Sequence, residues 1–415
     1  MDELSKPFSP GAGSPPPELA GRDWLLERAR VMLGRIKAGR NEQSMMLVGL
    51  RGVGKTVLLN RIREMAEKEG FGVVMVEATE SRKLPDLLVP ALRQIMFQLD
   101  AMAGVNDKVK RGLRVLRAFM STVKVKAGDV EFGLDINPEK GTADSGDLEA
   151  DLAELFAAVG EAAQARGRAV AVIVDEIQYL SEHEMSALIM AVHRVSQRQL
   201  PLLLVGAGLP QLVGLAGRSK SYAERLFSYP HVGALGDDDA REALEGPVRE
   251  QSVEFTDDAL EEIVGKTRGY PYFLQEWGYQ AWNIARQSPI DAGVVREASD
   301  ASIAKLDGSF FRVRFDRLTP REKEYMRAVA HLGPGAHRSG DIAECLGVEV
   351  RSIAPLRSGL IKKGMIYSPA HGDTAFTVPL FDEFMLRTMP DWAPHAAIPA
   401  PKAAPPVPPS ATSQE

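Results

Sequence analysis

The run Gly49-Leu-Arg-Gly-Val-Gly-Lys-Thr56 constrains this chain more than any other stretch of similar length. It has the spacing Gly-x4-Gly-Lys-Thr, and it sits between an apolar strand, Ser44–Val48, and a helix running from Lys55 to about Glu69, where Gly70 stops it. Glycines at 49, 52 and 54 let backbone N–H groups curl around a polyphosphate without Cβ collisions, and the helix N-terminus adds a favourable partial charge. In such a loop, to which Val53 also lends its backbone, Lys55 reaches the β- and γ-phosphates and the Thr56 hydroxyl binds Mg²⁺. ATP and Mg²⁺ are the expected ligands.

The elements around the loop alternate between strand and helix. A strand at Gly72–Val76 is followed by a helix near Leu87–Leu99. The strand Ala169–Val174 precedes a helix at about Glu182–Arg198 and a further strand, Pro201–Val205. Ala169–Val174 is apolar throughout, as expected of a strand covered on both faces. This order predicts an α/β fold: a P-loop parallel sheet with helices on both faces, built by right-handed crossovers. From Asp237 to about Leu306 only helical patterns follow, opening with Asp237-Asp238-Asp239, acids that suit a helix N-terminus. From Leu318 to about Pro390 three helices and two short strands around His371-Gly372-Asp373 spell a small winged helix-turn-helix. The expected organisation is a tail at 1–18, a P-loop core at 19–236 with a hairpin insert near 121–136, a helical lid at 237–308, a winged helix at 309–390 and a tail at 391–415. Both tails read as disordered from their Pro-rich composition.

The second chemical signal is Asp175-Glu176, at the end of the apolar strand Ala169–Val174. A neighbouring strand in such a sheet ends beside the phosphate loop. Asp175 can therefore hold the Mg²⁺ water shell, and Glu176 can orient and polarise an attacking water. No competing chemistry appears: the histidines are scattered, the single Cys345 reads as a small apolar core residue, and Gly-x-Ser-x-Gly is absent.

With these motifs in place, the stretch from Leu19 to Pro390 resembles an AAA+ ATPase of the origin-recognition-complex-like and STAND-related group. The resemblance rests on Ala20-Gly21-Arg22-Asp23, the phosphate loop, Val174-Asp175-Glu176, the helical lid and the C-terminal winged helix. It implies an adenine pocket formed with Gly21, Arg22 and Asp23. The lid sequence Arg268-Gly-Tyr-Pro271-Tyr272 resembles STAND lids, in which the proline approaches the nucleotide, while Arg268 stands where many relatives place a sensor arginine. Arg225, after the fourth strand, stands where relatives supply an arginine finger to a neighbouring subunit. One departure is evident. Such proteins carry a polar sensor residue at the end of the strand after the Asp-Glu strand, but Val205-Gly-Ala-Gly208 offers only backbone, which implies slow hydrolysis.

Charge bears on partners. The 415 residues hold 50 Lys+Arg against 56 Asp+Glu, a formal charge of −6, so no global positive field points to nucleic acid. Local patches remain. The helix Ser352–Lys363 and its flank bring Arg351, Arg357, Lys362 and Lys363 without an acid, which suits phosphate contact, although 318–390 as a whole holds nine basic against eight acidic residues. A second basic run extends from Lys108 to Lys126. Two functions fit: an ATPase whose nucleotide state controls assembly on DNA, with self-association, or a STAND-like signalling switch acting through a protein partner with little turnover. No signal-like or membrane-spanning run is present, and the expected location is cytoplasmic.

Overall fold

The computed structural model describes residues 1, 5–11, 16, 19–102, 104–123 and 137–395. They form two compact units, Met1–Gly308 with Thr377–Pro379, and Ser309–Phe376 with Leu380–Glu415.

The first unit is built on five strands: β1 (Ser44–Val48), β2 (Gly72–Glu77), β3 (Val170–Asp175), β4 (Leu202–Gly208) and β5 (Phe227–Ser228). All pairings are parallel, in the order β2-β3-β4-β1-β5. The predicted α/β fold is thus the observed one. Every residue of β1, β3 and β4 is buried, because each strand is covered on both faces. Alternation divides them between two cores. Val170, Val172, Val174, Leu202 and Leu204 face one layer, which includes the helices Leu84–Asp100, Asp107–Val123, Leu148–Ala165 and Glu182–Gln197. Met45, Leu47, Ala171, Ile173, Leu203 and Val205 face the other, covered by Asp23–Lys37 and Lys55–Lys68.

Two sequence expectations need correction. The hairpin near 121–136 begins inside the helix Asp107–Val123, and 124–136 lies outside the described residues. The amphipathic period of that helix, with Val109, Leu113, Leu116 and Phe119 buried, overrides the local alternation at its end. The stretch expected as an N-terminal tail is not free where it is described. Phe8 is 1% exposed and packs against Gly278, where a Cβ would come within 2.6 Å of its ring. Lys6 Nζ donates to Tyr279 Oη at 2.9 Å, and the Ser9 N–H donates to Gln275 Oε1 at 3.1 Å. One large aromatic side chain outweighs the Pro/Gly/Ser composition around it. Most of the C-terminal stretch expected as a tail, 396–415, lies outside the described residues.

The helices Asp237–Arg249, Asp257–Thr267, Pro271–Ile284 and Ala292–Lys305 follow the sheet within the first unit. The second unit contains helices Phe311–Asp316, Pro320–His331, Ser339–Cys345, Val350–Lys362 and Phe381–Thr388. Its sheet has three short strands: β6 (His337–Arg338), β7 (Ile366–Tyr367) and β8 (Asp373–Phe376), antiparallel in the order β6-β8-β7. Phe311, Phe381 and Phe384 form its aromatic centre, with the rings of Phe311 and Phe381 5.7 Å apart. Cys345 is buried. Among the described residues no helix is long and apolar enough to cross a membrane.

Phe8→Ala should lower the stability of the first unit by about 3 kcal/mol, because it empties a filled site beside Gly278. Chemical denaturation of the full chain against wild type checks this.

Candidate functional site

The C-terminal end of β1 leads directly into the glycine-rich loop. Val48 is tied on its outer side to the segment after β5: its N–H donates to Pro230 O at 2.9 Å, and its carbonyl accepts from the Val232 N–H at 2.7 Å. That segment leaves no room for a side chain at 49, where a Cβ would lie 2.0 Å from Val232 O. Gly49 is thus required by its own backbone neighbour. Gly54 answers a different need. It is the N-cap of the helix Lys55–Lys68 at φ 91°, a left-handed conformation that favours glycine.

Lys55 is 7% exposed, and its Nζ donates to Gly49 O at 2.9 Å and Leu50 O at 2.7 Å. Burial pushes this ammonium down to about 8; Glu176 and Asp175 oppose the shift, and Arg51 adds to it. Thr56 Oγ1 donates to Asp175 Oδ2 at 2.6 Å. Asp175 is also buried, and its other oxygen accepts the Glu176 N–H at 2.8 Å. Desolvation raises this carboxyl, against the two hydrogen bonds. β3 does not adjoin β1, contrary to the expectation of a neighbouring strand. β4 lies between them, and its end is so small that a Cβ at Gly206 would sit 2.4 Å from Met46 Sδ. Thr56 and Asp175 meet across that end.

Glu176 follows in a left-handed conformation, φ 51°. One of its carboxylate oxygens pairs with Arg51 Nη1 at 3.5 Å, and the other accepts from Gln178 Nε2. Arg51 also donates to Tyr179 Oη at 2.7 Å. Glu77, opposite Asp175 in the β2–β3 register, is a third carboxylate at this end, raised by burial and then by Asp175 and Glu176. No sequence motif marks Arg51, Gln178 or Glu77. The clues were their positions: Arg51 inside the loop, Gln178 two residues after Glu176, Glu77 at a strand end.

A helix from beyond the sheet reaches the same loop. The Tyr272 N–H, in the first turn of the helix Pro271–Ile284, donates to Gly52 O at 3.1 Å, and a Cβ at Gly52 would lie 3.2 Å from the Tyr272 Cβ. Pro271, the first residue of that helix, is therefore next to a loop contact. Arg268 is exposed and caps the preceding helix at φ 53°. Gly21 and Arg22 pack beside the helix Asp237–Arg249: Arg22 Nη2 donates to Gly233 O at 2.6 Å, and a Cβ at Gly21 would meet Asp239 Oδ2 at 2.4 Å. Asp239 also attracts the buried guanidinium of Arg22. Asp23 is exposed at the start of the helix Asp23–Lys37.

Arg225 does not join this cluster. It precedes β5, whose Phe227 pairs with Ser44, so it lies at the opposite end of β1 from the loop. It is exposed and, among the described residues, has no side-chain partner.

The basic groups expected at DNA divide. Arg351 and Lys362 are exposed. Arg357 is not available: it donates to Thr374 Oγ1 at 2.9 Å, Ser368 Oγ at 2.6 Å and Asp373 O at 2.6 Å, tying its helix to the β7–β8 hairpin. Lys363 Nζ pairs with the buried Glu322 at 2.7 Å. The second basic run is also matched by acids distant in sequence. Glu161 pairs with Lys108, Arg111 and Arg198, and Glu139 with Arg111 and Arg114. Lys124 and Lys126 lie outside the described residues.

With this geometry established, comparison with known proteins is specific for one segment. Residues 18–205 match the family model described as AAA ATPase domain. That match covers a little under half of the chain. Residues 308–385 match a second model, a domain of unknown function, DUF8462. Among curated proteins the chain is similar to the uncharacterized HTH-type transcriptional regulator MJ0774 of Methanocaldococcus jannaschii, 24% identical over 345 residues, 80% of this chain and 79% of that protein. Among solved structures it is similar to the Walker-type ATPase PABY2304 of Pyrococcus abyssi, with a TM-score of 0.51 and 19% identity over 86% of this chain and 95% of that one. The Aeropyrum pernix Orc1 protein, solved in complex with DNA, aligns at a TM-score of 0.45 and 18% identity, covering 90% of this chain and 94% of that one. The match supports ATP hydrolase activity for this segment.

Its pH dependence follows from Lys55. The ammonium is lowered to about 8 by burial, so below that value Lys55 in the free loop is already charged. Above it the loop has lost the proton, and binding must recover one. ATP affinity should therefore fall as pH rises from about 8 towards the ordinary lysine value, by up to about tenfold per unit, with proton uptake on binding. Calorimetry in buffers of different ionisation enthalpy measures both.

Proposed function

We propose that this chain is a Mg²⁺-dependent ATPase that turns over slowly and uses its nucleotide state to control a C-terminal winged helix engaged with DNA. The observation that carries the nucleotide half of this reading is the meeting of Lys55, Thr56, Asp175 and Glu176 at one end of the sheet, with Thr56 and Asp175 2.6 Å apart. Thr56 and Asp175 present hard oxygen donors at one point, a set that fits Mg²⁺. They are the residues that would hold it, and the ion would neutralise charge on the phosphates.

In this reading the loop amides and Lys55 bind the β- and γ-phosphates, and the arrangement is electrostatic, as phosphoryl transfer requires. Glu176 takes the proton of the attacking water. Gly21, Arg22, Asp23 and Pro271 border the base and ribose, supported by the packing of Gly21–Arg22 and of the Pro271 helix beside the loop. Arg225 cannot serve the loop of its own chain from the far end of β1. It acts in a neighbouring subunit, so ATP promotes self-association. The domain boundaries are those at 236, 308 and 390, with the winged helix formed by 309–390.

The DNA half is supported by the similarity to an uncharacterized HTH-type transcriptional regulator and by the exposure of Arg351 and Lys362. A specific observation favours the second reading, a signalling switch whose winged helix meets protein: Arg357 and Lys363 are engaged within the module.

Two measurements test the proposal. Glu176→Gln should retain ATP binding and lose at least about 90% of phosphate release, because the amide keeps the shape and removes the base. Replacing Arg351 and Lys362 together by Ala should weaken duplex binding and flatten the logarithmic salt slope by up to about two units, roughly 0.9 for each phosphate contact. No DNA retention by wild type at low salt, with or without ATP, selects the switch.

A further inference from the structure

The strand end that closes the catalytic cluster carries no polar side chain of its own, since β4 finishes in Val205-Gly-Ala-Gly208. The side chain of Gln178 occupies that place. Its Oε1 accepts the Leu209 N–H at 3.0 Å, and its Nε2 donates to Glu176 Oε2. Both partners are unambiguous: a backbone N–H can only donate and an ionised carboxylate can only accept, so the amide has one orientation that satisfies both. Gly208 makes the arrangement possible, because a Cβ there would stand 2.8 Å from Gln178 Oε1. The missing side chain on β4 and the amide of Gln178 are two aspects of one construction.

We propose that Gln178 is a positioning residue for ATP hydrolysis, an amide bridge that anchors the Glu176 carboxylate to the backbone at the end of β4. The inference rests on the reading of Glu176 as the base. Glu176 is partly exposed and lies in a short turn after β3, where a glutamate would otherwise sample many rotamers. Its other tether, Arg51, belongs to the phosphate loop, which must rearrange around phosphates when Lys55 exchanges its loop carbonyls for them. Gln178 is bound to the sheet instead. It holds the carboxylate in register with Asp175 while the loop changes partners, and that registration matters because small misplacements of a reacting group cost rate.

The test uses the full chain with Mg²⁺-ATP and separates the donor from the anchor. Gln178→Glu keeps an acceptor for Leu209 and removes the donor to Glu176; Gln178→Leu removes both. Each should lower kcat by about ten- to a hundredfold, leaving the ATP dissociation constant within about threefold and the melting temperature near wild type. Gly208→Ala, which displaces the amide without altering it, should lower kcat in the same direction. Wild-type kcat in Gln178→Glu alongside a loss in Gln178→Leu would reduce Gln178 to a structural anchor and overturn the proposal, as would wild-type kcat in both. Loss of ATP affinity in parallel with kcat would overturn it too. Glu176→Gln is the control. If that variant hydrolyses ATP like wild type, the base reading has failed and the proposal falls with it; if it is inactive, the Gln178 variants decide the proposal alone.

Discussion

The hydrogen bond from Thr56 to Asp175 joins two strands that are not neighbours. Thr56 belongs to the helix launched from β1, Asp175 ends β3, and β4 runs between them. Their 2.6 Å contact requires the three strands to end level and β4 to end small. The parallel registers meet the first condition, pairing Val48 with Gly208 and Val174 with Gly206. The glycines at 206 and 208 meet the second. What looks in the sequence like the omission of a polar residue from β4 is the clearance over which the site is assembled, with Met46 filling the space against Gly206 and Gln178 that against Gly208.

The site is also a place where charge is placed under cover. Lys55 and Asp175 are buried, and burial moves each towards its neutral form, the lysine down and the carboxyl up. Their mutual attraction opposes that drift but does not cancel it. The charges that remain there are less screened by solvent than those of an exposed pair. The same reasoning explains why Arg51, within the loop, pairs with Glu176: a half-buried guanidinium beside a half-buried carboxylate is better paired than left alone.

The basic residues illustrate how poorly a count of charges predicts a contact surface. The helix Asp107–Val123 looks in sequence like an unopposed positive face, yet Glu161, 53 residues from Lys108 and 50 from Arg111, gathers three cations from two other segments. Arg357, on a helix free of acids, turns to the β7–β8 hairpin and satisfies one hydroxyl and one carbonyl there, with a second hydroxyl from Ser368. In both cases the partner lies outside the helix that carries the cation and is brought to it by the fold.

The fold class, the glycine-rich turn from β1 into its helix and the place of Asp175-Glu176 at the end of β3 were legible in the sequence because each rests on a local rule: apolar runs of strand length, glycine spacing that backbone sterics impose, and acids at the end of a doubly covered strand. The boundaries of β1 and of the helix starting at Lys55 followed from the same rules. Tertiary structure decided what no local rule reaches. It placed β4 between β1 and β3, packed Phe8 of a Pro/Gly/Ser-rich stretch against Gly278, paired the cations of the Asp107–Val123 helix and set the Gln178 amide against Gly208. Each depends on two segments far apart in the chain arriving at one point. A side chain's partner is then chosen by which unsatisfied polar group or unfilled volume lies within reach, and only the folded chain contains that information.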